Sequence, residues 1–207
     1  MTPIPFSSAF RSGSGGSRHN LKTAASMFAK KGYYQTTVDD MAKALGVAKG
    51  TIYYHFKNKE ELYLAIIQEG ISLFEKQIRL DMSNASTPAG KIKNIISGML
   101  VFVEEEKDLV FLFIKELCGT DLQREALAKM LSVSMGMIRG IIEEGVKAGD
   151  FKNVDPEITT STLFGMIIIP ALHFISYTKK IPHEQVNAVV EVLFFNGILN
   201  PDTREGL

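Results

Sequence analysis

Apolar residues recur along most of this 207-residue chain at three- and four-residue spacing, between joints of Gly, Pro, Asn and Ser. That period predicts helices, and no β-branched alternating run competes with it. Leu21, Ala24, Ala25 and Phe28 make the inner stripe of a helix over 18–31, with Gly32 just past its end. Val38, Met41, Ala42 and Leu45 make a second stripe, with Thr37 as its cap and Asp40 in the reciprocal capping-box position. Gly46 stops that helix where a left-handed residue without a Cβ costs least. Val47 can plug the turn, and a third helix begins near Lys49 with Ile52 and Phe56 facing inward. A fourth, capped by Asn58 with Glu61 as partner, runs to about 83. Five more are expected over 88–105, 108–117, 121–148, 155–178 and 183–199, two of them opened by Thr87-Pro88 and Asp155-Pro156. The expected fold class is all-α with about nine helices. It divides into a flexible Ser/Gly/Pro-rich arm over 1–17, a three-helix helix-turn-helix domain over 18–62, and a helical domain over 63–207.

With Ile52 and Phe56 turned inward, Lys49, Thr51, Tyr53, Tyr54 and His55 are left pointing outward. Such a face is a poor solvent face but a good DNA face. Lysine and the hydroxyls reach phosphates, and the aromatic bodies contact sugars and thymine methyls. The two short helices therefore read as a helix-turn-helix whose second helix enters a groove. The segment GVAKGTIYYHFKNKEEL, from Gly46 to Leu62, resembles the recognition helix and following segment of the TetR family of bacterial transcriptional regulators. Upstream, NLKTAASMFAKKGYYQTTVDDMA resembles that family's first helix and the lead-in to its second. One departure is Ala48, where many members carry a Ser or Thr, so the cap is weaker by ~1 kcal/mol.

The resemblance implies a homodimer that binds a near-palindromic DNA operator, most simply as a repressor, and is released by a small, mainly apolar effector. It carries Thr37, Lys49, Gly50, Thr51, Tyr53, Tyr54, His55 and Lys59 over as DNA contacts. Thr37, Tyr53 and Lys59 would hold phosphates, and Lys49, Thr51, Tyr54 and His55 would face base edges, with Gly50 letting the backbone approach. Two rivals remain at this stage. One is an activator with the same contacts; the other is a small-molecule-binding helical protein whose helix-turn-helix is vestigial.

Charge favours DNA. The chain is neutral overall, yet residues 1–59 carry nine Lys/Arg against two acids, and the rest carries fourteen against twenty-one. A basic head on an acidic body is the footprint of a protein that meets a polyanion at one end. Cys118 is the single cysteine, expected to be a buried thiol in a reducing cytoplasm. The four histidines have no metal-ligand spacing, and no catalytic constellation is found, so neither metal, cofactor nor enzymatic activity is expected. The glutamates at 104–106 read as a solvated face. The apolar run 163–175, interrupted by Pro170, is too short to span a bilayer, and no membrane partner is expected.

The last two helices are apolar over more of their circumference than one core stripe requires. Pairing with their copies in a second subunit would cover the excess. The candidate interface is Leu163, Ile167, Val186, Val189, Val190, Leu193, Phe194 and Ile198, the alternative being that these positions are internal core. For the effector pocket, the large adaptable residues Met99, Phe102, Val103, Phe111, Phe113, Met137 and Met166 are candidates, with His173 as a polar contact near the Pro170 bend. At helical spacing each is ordinarily plain core.

Overall fold

A computed structural model describes residues 5–10, 16–117 and 121–199, so Cys118 lies outside the described residues. Ten helices are found among them. Contacts divide the chain into two compact units: Met1–Leu73 with Asp108–Met130, and Phe74–Lys107 with Leu131–Leu207.

The first unit holds α1 (Phe6–Ala9), α2 (Gly16–Lys31), α3 (Val38–Leu45), α4 (Lys49–His55), the first part of α5 (Lys59–Ser83) and most of α7 (Lys107–Leu117). Of the stripe residues expected from spacing, Leu21, Ala24, Ala25, Phe28, Met41, Ala42, Leu45, Ile52 and Phe56 are buried and Val38 is half-buried, and Ile66 of α5 adds to this core. Tyr63 joins them, its ring 4.8 Å from Phe28 and 5.0 Å from Tyr33. Gly70 on α5 leaves the room in which Phe113 and Leu109 of α7 pack. The N-terminal segment differs from expectation. Residues 6–9 form a helical turn packed on α2 rather than a free arm, because Phe6 and Phe10 find a hydrophobic surface and are almost wholly buried.

The second unit holds the remainder of α5, α6 (Pro88–Glu105), most of α8 (Asp121–Ala148), α9 (Pro156–Thr178) and α10 (His183–Ile198). The helix starts follow the signals read from sequence. Thr87 Oγ1 accepts from Gly90 N at 3.1 Å, and Asp155 Oδ1 accepts from Ile158 N at 2.8 Å. α6 packs on both α9 and α10. Ile92, Ile95, Ile96, Met99 and Val103 of α6 are buried, as are Leu163, Ile167 and Ala171 of α9 and Val186, Val190 and Phe194 of α10. Beyond α10, an isolated bridge joins Leu199 to Phe151, and Lys152 N donates to Ile198 O at 2.7 Å.

Three expectations about this unit are corrected. The apolar run of α9 continues through Pro170 as one 23-residue helix, long and apolar enough by length and composition to cross a bilayer. Its buried residues belong to a helix packed on α6 and α10. The glutamates at 104–106 are not a uniformly solvated face. Glu106 is buried, and Glu104 accepts from Ile181 N at 3.2 Å and lies 2.6 Å from His183 Nε2. That histidine contact, first, and the Ile181 N–H hold the Glu104 carboxyl below its ordinary pKa. Finally, Leu163, Ile167, Val186, Val190, Phe194 and Ile198 face the interior of their own chain. They are core residues, not an open subunit surface. Of the expected interface, Val189 and Leu193 stay exposed, at 57% and 61%.

Candidate nucleic-acid interface

The interface is built on two short helices with well-defined ends. Asp40 N donates to Thr37 Oγ1 at 3.1 Å, and Thr37 N donates back to Asp40 Oδ2 at 3.5 Å, completing the capping box that opens α3. The Thr37 contacts hold the Asp40 carboxyl below its usual pKa. At the other end Gly46 takes φ +66°, and Val47 N donates to Ala42 O at 3.0 Å, which turns the chain sharply. α4 follows after Ala48, which supplies no side-chain cap, as its methyl dictates. Phe56 N donates to Ile52 O at 2.8 Å and the backbone then becomes extended, so this helix is only seven residues long. A helix that short has little stability of its own. Burial of Ile52 and Phe56 holds it in place.

The opposite face is open. Tyr53 is 49% exposed and Tyr54 84%, while Lys49 and Gly50 are exposed and Thr51 and His55 half-buried. Nothing lies near the missing Cβ of Gly50, so the backbone there is free to approach a partner closely. Lys49 Nζ bonds Asp39 at 2.9 Å and sits 5.9 Å from the Tyr53 ring. The hydrogen bond to Asp39, with its charge, raises the Lys49 pKa. An exposed ion pair of this kind is weak and exchanges readily for a phosphate.

Lys59 is placed differently from the other candidates. It stands on the first turn of α5, but its ammonium donates to Tyr33 O at 3.0 Å and lies 4.4 Å from the Tyr33 ring. It pins the loop between α2 and α3, so a phosphate would have to share it with that loop. The same loop presents Tyr34, 87% exposed, which the motif reading passed over. The Gly-Tyr-Tyr sequence after α2 was the available signal, a pair of tyrosines in a turn next to the capping box.

The pocket candidates are divided between the units. Met99, Phe102 and Val103 are buried on α6, with Phe102 5.2 Å from Phe74, while Met137 and Met166 are half-buried. Phe113 packs in the first unit, and Phe111 is 38% exposed. His173 is exposed on α9, its ring 4.7 Å from Tyr177, so it is not the polar contact of an interior pocket. Pro170 does not turn it inward. Among the described residues no group of three His, Cys, Asp or Glu is arranged to hold a metal.

A capped first helix, a left-handed glycine turn and a short second helix with an outward Lys/Thr/Tyr/Tyr/His face define a helix-turn-helix DNA-binding protein. Residues 21–66 match the bacterial regulatory proteins of the tetR family, and residues 85–171 match the tetracyclin repressor-like C-terminal domain. The chain belongs to the TetR family and is a ligand-responsive DNA-binding transcriptional regulator. It is 27% identical over 182 residues to the fatty acid metabolism regulator protein of Bacillus subtilis, covering 87% of this chain and 94% of that one. It is 28% identical over 164 residues to the transcriptional repressor KstR2 of Rhodococcus jostii, covering 76% and 78%. Among solved structures it resembles FadR from Bacillus subtilis in complex with stearoyl-CoA, with a TM-score of 0.77 and 26% identity over 87% of this chain and 98% of that one.

Proposed function

We propose that this protein is a homodimeric repressor that leaves its operator when a fatty acyl thioester of coenzyme A binds its C-terminal unit. The observation that carries this reading is its likeness, over nearly the full length of both chains, to a fatty acid metabolism regulator and to a regulator structure holding stearoyl-CoA. The chemistry of the second unit is compatible. Its buried residues include Phe74, Ile78, Met99, Phe102 and Val103, apolar side chains suited to contact with an alkyl chain. The likeness to a named repressor favours repression over activation. Regulation of this kind takes place where the chromosome is, in the bacterial cytoplasm. The vestigial-motif alternative has no support in the geometry, since the outward face of α4 is open and chemically complete.

The test is fluorescence anisotropy with a duplex taken from upstream of the protein's own gene. Stearoyl-CoA should release the duplex, while equal concentrations of stearate and of free coenzyme A should not. Release by neither, or by stearate alone, would remove the acyl-CoA assignment. A reporter gene would separate the remaining pair: expression should rise when the regulator is deleted.

The dimer is assigned to the outer faces of α9 and α10. Ile158, Ile169 and Tyr177 on the one and Val189, Val192 and Leu193 on the other are each more than half exposed. Together they are the unpartnered apolar surface that a second subunit covers. Leu193→Glu should give a folded monomer by analytical ultracentrifugation, whereas Val190→Glu should unfold the chain. A Leu193→Glu protein that remains dimeric would move the interface elsewhere.

A further inference from the structure

The segment before α2 lies outside the family match, which begins at residue 21, yet its packing is specific. Phe6 is fully buried and Phe10 2% exposed, with their ring centroids 4.8 Å apart. Both reach the end of the recognition helix. Phe6 lies 6.4 Å and Phe10 6.1 Å from the Phe56 ring, in stacked orientation. Phe10 also meets the His55 ring nearly edge-on at 6.2 Å, and His55 in turn meets Tyr54 at 5.0 Å. A polar clip fixes the segment to α2: buried Asn20 donates its side-chain N–H to Phe10 O at 3.2 Å.

The consequence follows from the construction of α4. That helix has seven residues and no side-chain cap, so its direction is set by what grips its two inward residues, Ile52 and Phe56. Ile52 faces the core made by the other helices of the head. Phe56, the C-cap at which the backbone turns extended, is stacked against the two N-terminal phenylalanines. We propose that Phe6 and Phe10 are positioning residues for DNA recognition: they clamp Phe56 and His55, and through them fix the angle at which Tyr54 and His55 meet the bases. This rests on the reading of α4 as the groove-binding helix. Specific contacts require placement to about 0.5 Å and 10–20°, whereas attraction to phosphate tolerates much more. Loosening the clamp should therefore damage sequence discrimination and spare non-specific binding.

The experiment uses the full chain and two duplexes of equal length, one selected by the wild-type protein from a random library and one unrelated. Phe10→Ala should weaken the selected duplex roughly tenfold, in the range of one mismatched base pair. Affinity for the unrelated duplex and the salt slope should stay unchanged, and the His55 ring-proton resonances should move as the ring edge is lost. Phe10→Leu keeps most of the packing and covers the case in which alanine unfolds the head. It should lower the ratio of selected to unrelated affinity about threefold. An unchanged ratio in the folded variants overturns the proposal, as does a parallel fall for both duplexes in a folded Phe10→Leu protein. If the wild-type protein selects no duplex, the DNA-binding reading itself fails and takes this inference with it. Wild-type selection with an unaffected ratio in the variants sinks the clamp alone.

Discussion

Replacing Tyr53 and Tyr54 together by alanine should lower operator affinity about a hundredfold, in line with the ~1–3 kcal/mol carried by each good contact to a base or its backbone. The fold should not notice. Tyr53 is half exposed and Tyr54 almost wholly so, with Lys49 beside the Tyr53 ring and the His55 ring beside that of Tyr54. Surface substitutions of this sort change stability by about 0.5 kcal/mol or less. The pairing of results is the informative part. Anisotropy with the operator duplex should show the loss while circular dichroism gives an unchanged melting curve. A melting curve that falls with the affinity would mean that the tyrosines support the head rather than read DNA. Unchanged affinity would mean that α4 is not the groove-binding element. Either result would reopen the family's contact scheme for this chain.

What sequence made legible here was whatever is decided locally. The Thr37–Asp40 box, the Gly46 turn, the missing cap at Ala48 and the caps at Thr87 and Asp155 are each settled within four or five residues, and each stands where the spacing predicts. What it could not show is decided by partners far along the chain. Phe6 and Phe10 lie in a Ser/Gly/Pro-rich stretch with no period, and their burial depends on Phe56, some fifty residues on. Glu104 looked solvated because its partner, His183, is seventy-nine residues away. α9 and α10 pose a different difficulty. When a helix is apolar nearly all round, its period cannot say which side faces inward. The contacts with α6 decide, sending Val186 and Val190 in and leaving Val189 and Leu193 out. The open face of α4 proposed to meet DNA was readable because polar and apolar positions on that helix contrast. The effector site was not, since an apolar pocket and an apolar core share the same residue types.

Asp81→Asn should stabilise the protein at neutral pH by about 2 kcal/mol, an unusual direction for a buried polar substitution. Asp81 is 7% exposed near the end of α5; Oδ1 accepts from Gln77 Nε2 at 2.8 Å, and Oδ2 is buried without a partner. Burial pushes its pKa up to about 6, against the opposing pull of the Gln77 hydrogen bond. The folded state thus holds the proton more tightly than the unfolded chain, whose carboxyl has the ordinary value of 3.8. The stabilising protonation is fully present below pH ~4 and is lost as the pH rises through about 6; two pKa units correspond to about 3 kcal/mol. Asparagine keeps the acceptor for Gln77 and carries no charge, but its amide N–H would lack a partner at a cost of about 1 kcal/mol. Its advantage should therefore appear in urea denaturation above pH 6 and vanish near pH 4. Denaturation curves of the two proteins that stay parallel across that range would show that Asp81 is solvated in the folded state. Gly98 supplies an independent check, because an alanine methyl there would overlap the Asp81 carboxyl. Gly98→Ala should cost about 3 kcal/mol, and adding Asp81→Ala should restore much of it. Failure of that rescue would mean the carboxyl does not occupy the space the glycine leaves, and the pH dependence would lose its structural cause.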